Sequence, residues 1–190
     1  VVAALTGSRP ESALLAHPIA DVVIDSRRAG KHALFVALAG ENTDGHQFVR
    51  EAFSSGAVVA LVQQDVGVDC TVVDLRQSLP ADQWLQRAQF PLCLRVEDSL
   101  AALQRVAQHW RKQLDIRVVG VTGSVGKTTT KELTAAVLAR RFCTLKNEGN
   151  LNNEIGLPLS LLQLTGRHER AVLEMGLYTP GEIAVLCEIA

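Results

Sequence analysis

The chain has 190 residues, enough for one large domain or two small ones, and 47% of them are apolar, sufficient to fill a core. Its 19 basic and 20 acidic residues leave a formal charge of -1, which gives no basic footprint for nucleic acid and no basic run for a membrane surface. The apolar opening Val1-Val2-Ala3-Ala4-Leu5 turns polar too soon for a signal peptide or a spanning helix.

The order of elements predicts a change of rhythm partway along. Val22-Val23-Ile24 reads as a short strand and Leu34–Leu38 as another, closed by Gly40. Gln47–Ser54 has helical spacing with Phe48, Ala52 and Phe53 apolar; Gly56 caps it, and Ala57–Val62 is a buried strand. Thr71-Val72-Val73 is a candidate strand, Ala81–Ala88 a candidate helix after Pro80, and Leu92–Val96 a strand. Asp98 or Ser99 caps a helix running to about Leu114, with Leu100, Leu103, Val106, Ala107 and Trp110 on one face. Beyond a boundary near Gln113–Arg117 the order becomes strand (Arg117–Thr122), helix (Lys127–Arg141), strand (Phe142–Leu145), helix (Ile155–Leu164), strand (Ala171–Glu174), helix (Gly181–Ala190). That alternation predicts the start of a doubly wound α/β domain with a mostly parallel sheet at 115–190, after a small mixed α/β domain at 1–114. Cys70, Cys93, Cys143 and Cys187 lie far apart with no C-x-x-C pair, and the five histidines are scattered. Free thiols in a reducing compartment are expected, and no metal cluster of histidines. The first residue is not Met and the last, Ala190, falls inside a helical pattern, so a piece of a longer protein is expected.

Gly120-Val121-Thr122-Gly123-Ser124-Val125-Gly126-Lys127-Thr128 carries the chemistry. A phosphate-cradling loop needs glycines so that backbone N–H groups converge on phosphate oxygens, a lysine as point charge, and a hydroxyl to ligate magnesium. Gly123, Gly126, Lys127 and Thr128 supply these between a strand and a helix, whose N-terminus adds its positive end. Thr122, Ser124, Val125 and Thr129 complete the nucleotide-binding candidates. The spacing departs from G-x-x-x-x-G-K-[ST], which would put glycine where Val121 stands. Glu174, at a strand end, is a candidate magnesium ligand beside Thr128, or else an ordinary surface glutamate. Asn150, Asn152 and Asn153 lie within four residues before an apolar helix. They read equally well as hydrogen-bonding groups for a polar substrate or as a helix cap with spare amides.

At these residues the chain resembles the Mur ligases, the ATP-dependent amide-bond-forming family of peptidoglycan synthesis. The family's loop, G-x-T-G-[ST]-x-G-K-[ST], accounts for the departure at Val121. Gly149–Pro158 resembles a G-N-x-N-N-x-I-G-x-P motif of one branch. Glu174-Met175-Gly176 with Pro180–Ala184, Asp25-Ser26-Arg27, Leu34–Glu41 and Asp44–Phe48 extend the likeness over nearly the whole chain, most weakly at residues 63–90.

The resemblance implies an N-terminal domain for a UDP-sugar peptide, a central ATPase domain of which this chain holds the start, and a C-terminal domain beyond it. It implies ATP and Mg2+ as cofactors. The implied substrates are UDP-N-acetylmuramoyl-tripeptide and D-alanyl-D-alanine, joined through an acyl phosphate in the cytoplasm by a monomer. Lys127 is then catalytic at the phosphates, Thr128 and Glu174 hold magnesium, Ser26 and Arg27 meet the UDP end, and Asn150, Asn152 and Asn153 face the muramoyl peptide. Catalysis by this segment alone is not expected, because the family's downstream residues lie outside it. Two rivals stand beside this reading: another ligase of the superfamily, either the third-residue or the folylpolyglutamate type, and a non-enzymatic ATP-binding module.

Overall fold

The computed structural model describes residues 1–7, 17–40, 43–77, 88–177 and 179–190. Contacts divide the chain into two compact units, Val1–Leu103 and Gln104–Ala190.

The first unit opens with a short helix α1, Val2–Thr6, and is built on strands β1 (Asp21–Val23), β2 (Ala33–Val36), β3 (Ala57–Val62), β4 (Thr71–Asp74) and β5 (Leu92–Arg95). They form a five-stranded parallel sheet in the order β1-β2-β3-β5-β4. The near-continuous apolar runs of β2 and β3 follow from burial on both faces, which removes any alternation of polar side chains. Ala33, Leu34, Phe35 and Val36 are fully buried, whereas Val72 on the edge strand β4 is half exposed. Phe35, Val49, Ala52, Ala60, Val62 and Cys93 share one core.

The helix expected at Gln47–Ser54 is two pieces, a 3-10 turn at Gly45–Phe48 and helix α2, Val49–Ser54. The cause is Asp44. Its carboxylate accepts from the His46 N–H at 2.9 Å and winds the chain tightly before the α-helix begins. The helix expected at Ala81–Ala88 lies, apart from its last residue, outside the described residues.

Helix α3, Ser99–Lys112, crosses the division between the units. The cap is Asp98, whose Oδ1 accepts from the N–H groups of Leu100 and Ala101 at 2.7 and 3.0 Å. The second unit then runs β6 (Arg117–Val121), α4 (Lys127–Leu138), β7 (Thr144–Lys146), α5 (Gly156–Leu161), β8 (Arg170–Glu174) and α6 (Glu182–Ile189). The strands are parallel in the order β6-β8-β7. Successive residues of β8 face opposite sides. Ala171 and Leu173 pack with Ala107, Leu157, Leu161 and Leu186 from α3, α5 and α6, while Val172 packs with Ala135 of α4. Helices therefore cover both faces, the doubly wound arrangement expected from the sequence. Among the described residues no helix is long and apolar enough to cross a membrane.

Candidate functional site

The register of β6 on β8 sets the site. Val121 lies opposite Glu174, so the strand that leads into the glycine loop ends beside the strand that ends in the carboxylate. Gly123 and Gly126 hold φ of 141° and 79°, conformations that side-chain-bearing residues rarely adopt. They let the chain reverse from β6 into α4 with Val125 at the tip, 92% exposed. Lys127 Nζ donates to the Gly123 carbonyl at 2.7 Å and spans the loop. No acidic residue stands in the first turn of α4, so its N-terminal N–H groups and positive dipole end are not offset by a local carboxylate. Ser124, Thr128 and Thr129 are exposed around the same turn.

Glu174 is 4% exposed, not a surface glutamate. Its Oε1 accepts from Asn152 Nδ2 at 2.9 Å, and its Oε2 is buried without a hydrogen bond. The peptide of Glu174 is held by one side chain: its N–H donates to Asn147 Oδ1 at 2.8 Å and its carbonyl accepts from Asn147 Nδ2 at 3.0 Å. Asn147 Nδ2 also donates to the Leu151 carbonyl at 2.7 Å. The amide thus continues the β7–β8 ladder past its last backbone pair, Lys146 with Val172. Lys131, 1% exposed, donates to the Asn147 carbonyl at 2.8 Å and lies 3.9 Å from Glu174 Oε2.

A buried carboxylate oxygen with no N–H or O–H partner is the donor a hard divalent cation takes. Among the described residues no three His, Cys, Asp or Glu side chains gather as a metal cluster. The residues therefore fit magnesium held by one carboxylate, with hydroxyl, phosphate and water oxygens as the remaining ligands, rather than a closed protein cage.

The structure gives the asparagine segment local partners. Asn152 is buried against Glu174, and the Asn152 carbonyl accepts from the Gly176 N–H at 2.7 Å. Asn153 Oδ1 accepts from the Ile155 and Gly156 N–H groups at 3.2 and 2.8 Å and so caps α5. Asn150 is exposed. Asn153, Glu154, Gly176, Pro180, Glu182 and Val185 line a cavity of about 530 Å³ in this unit.

In the first unit, Ser26 and Arg27 stand in a 3-10 turn, Ser26–Arg28, capped by the Asp25 carboxylate. Ser26 is buried and its hydroxyl donates to Glu51 Oε2 at 2.9 Å. The Arg27 guanidinium is exposed and forks onto Asp25 at 2.9 and 2.7 Å. Hydrogen bonding to it draws the Asp25 carboxyl down to about 2. Nearby, His46 Nε2 accepts from the Gln63 N–H at 2.9 Å, which puts the ring proton on Nδ1, 2.5 Å from Asp44 Oδ1.

Sequence reading missed Lys131 and Asn147. A lysine one turn into a helix ordinarily reads as solvated. The available signal was that Lys131 falls four residues after Lys127, one turn along the same helix, toward the sheet.

Comparison with known proteins matches residues 18–111 to the Mur ligase family, catalytic domain, and residues 121–190 to the Mur ligase middle domain. The UDP-N-acetylmuramoyl-tripeptide–D-alanyl-D-alanine ligase of Synechocystis sp. is 42% identical over 173 residues, covering 90% of this chain and 34% of the relative. A solved ligase of Acinetobacter baumannii, named for D-alanyl-D-alanyl addition to the diaminopimelate-containing precursor, superposes with TM-score 0.76 at 32% identity, covering 99% of this chain and 38% of that one. The MurF ligase of Thermotoga maritima in complex with ADP superposes with TM-score 0.71 at 34% identity, covering 95% and 36%. The chain spans about a third of the length of these relatives. With the phosphate loop, the buried strand-end carboxylate and two consecutive domain matches in family order, the chain belongs to the Mur ligase family.

Proposed function

We propose that this chain is the substrate-binding and nucleotide-binding portion of an ATP-dependent ligase that adds D-alanyl-D-alanine to UDP-N-acetylmuramoyl-tripeptide. The observation that carries this reading is Glu174: buried, with one oxygen that takes no hydrogen bond, directly across the register from Val121 at the mouth of the glycine loop. A pure binding module has no need of such a carboxylate. The names of the relatives support the substrates, and the asparagine-rich segment Gly149–Pro158 separates this chain from the third-residue branch. The family matches end at 111 and resume at 121, which supports a domain boundary at Gln113–Arg117.

In this reading the tripeptide carboxylate attacks the γ-phosphate of ATP, the bond to the bridging oxygen breaks and ADP leaves, giving an acyl phosphate. The amine of D-alanyl-D-alanine then displaces inorganic phosphate and loses a proton to form the amide. Two anions must meet in the first step, so fixed positive charge lowers the barrier. Magnesium, when bound, neutralises phosphate charge. The N–H groups of Gly123–Gly126 cradle the β-phosphate, with Thr122 and Thr129 flanking them. Lys127 exchanges the Gly123 carbonyl for phosphate oxygens. Thr128 and Glu174 hold the cation. Asn152, through its bond to Oε1, orients Glu174, while exposed Asn150 is left for the muramoyl peptide. Ser26 and Arg27 take the UDP end, where an arginine fork suits a diphosphate. The work belongs in the cytoplasm, where ATP is available.

The test is turnover by the full-length protein: phosphate release from ATP with UDP-N-acetylmuramoyl-tripeptide, with and without D-alanyl-D-alanine. Release that requires both substrates is expected. Release with another acceptor would move the chain to a different branch, and its absence with every acceptor would reduce it to a binding module.

A further inference from the structure

Lys131 is a buried charge that the reaction above does not use. It sits one turn beyond Lys127 on α4 and is 1% exposed. A lysine is buried this deeply only where its charge is matched. Its one neutral partner is the Asn147 carbonyl at 2.8 Å; the rest of its compensation comes from two carboxylates, Glu132 Oε1 at 3.4 Å and Glu174 Oε2 at 3.9 Å. Glu132 is half exposed and also bonded to Lys146. Glu174 is therefore the buried counter-charge. Its Oε1 is occupied by Asn152, so the oxygen facing the ammonium is the same Oε2 that a divalent cation would take.

Resting on the reading of Glu174 as a magnesium ligand, we propose that Lys131 is a resident cation that keeps free divalent metal off Glu174, so that metal enters only together with nucleotide phosphates. A free ion at Oε2 would stand within a few ångströms of a fixed ammonium in a poorly screened interior, with Glu174 as the one buried carboxylate and the half-exposed Glu132 already shared with Lys146. The phosphates of a nucleotide reverse the sign of the local charge, and the same ion is then attracted. Lys131 acts through Glu174 and touches no reacting atom, so it is a positioning residue. Its consequence is an obligatory metal–nucleotide complex rather than a metal-loaded resting protein.

The probe is Mn2+, followed by the loss of its free-ion paramagnetic resonance signal on titration into the full-length protein. Wild type is expected to bind Mn2+ at least about tenfold more tightly with ADP than without it. Lys131→Met is expected to gain at least about tenfold in Mn2+ affinity without ADP, and Lys131→Arg, which keeps the charge, to stay at the wild-type value. A thermal melt of each variant separates these effects from misfolding. Equal affinity with and without ADP in wild type overturns the proposal whatever the variants do. So does a folded Lys131→Met that gains nothing, or a gain shared by Lys131→Arg. Glu174→Gln tests the underlying reading separately: Mn2+ bound with ADP as tightly as in wild type would remove Glu174 from the metal site itself.

Discussion

At the scale of single residues, the site's charges are held by neighbouring groups of the same chain. Lys127 lies across the loop on the Gly123 carbonyl, so its ammonium need not be drawn out of bulk solvent to meet a phosphate. Lys127→Ala is expected to weaken ATP binding by about 1.5–3 kcal/mol, the scale of a charged hydrogen bond, in titration calorimetry on the full-length protein. Unchanged affinity would remove the lysine from the phosphates. Arg27 is likewise engaged, forked onto Asp25, whose pKa falls from 3.8 to about 2. Because the folded value lies below the ordinary one, the pair's contribution is present above about pH 4 and disappears as pH falls toward about 2. Arg27→Ala is expected to return the Asp25 carboxyl midpoint toward 3.8 in an NMR titration, and a midpoint left near 2 would assign the depression to another cause. The loop residues were legible because glycine, lysine and threonine at that spacing have a chemistry of their own. Lys131 and Asn147 were not, because their roles come from the fold. Asn147 matters only because β7 stops one residue before it and leaves its amide beside the Glu174 peptide.

At the scale of elements, sequence located nearly every strand and helix among the described residues, and ends drifted where local side chains intervened. The expected helix Lys127–Arg141 ends as α4 at Leu138, where Arg141 N–H turns onto the Leu138 carbonyl at 3.1 Å in place of another helical bond. The start of α3 shows why two adjacent capping candidates could not be separated beforehand. Asp98 and Ser99 both suit an N-cap. The structure gives Asp98 both N–H groups and leaves Ser99 as the first helical residue, its hydroxyl buried without a partner. Asp98→Ala is therefore expected to cost about 1 kcal/mol in urea unfolding, the ordinary worth of a cap. Ser99→Ala is expected to be neutral or stabilising, since it removes an orphaned polar group from the interior. The reverse ranking would place the cap on Ser99.

At the scale of the whole molecule, the chain carries two parallel sheets, each with its own core. The proposed ligands divide between them: the UDP end at Ser26 and Arg27 in one unit, the nucleotide and cation at Gly123–Thr129 and Glu174 in the other. The change from irregular spacing to strict strand–helix alternation near Arg117 falls later than the division at Leu103 and Gln104, because Ala107 of α3 packs into the second core. Ligand binding suppresses only those openings that break its site, by RT ln(1 + [L]/Kd), about 2.7 kcal/mol at a hundred times Kd. ADP with magnesium is therefore expected to slow hydrogen exchange at the amides of 123–129 and at Glu174, whose N–H is bonded to Asn147, while β1 to β3 keep their rates. UDP-N-acetylmuramoyl-tripeptide is expected to slow the amides of Ser26–Arg28 instead. Mass-spectrometric exchange on the full-length protein reads both. Protection by ADP centred on the Ser26–Arg28 turn, or none at the glycine loop, would reverse the assignment of ligands to units.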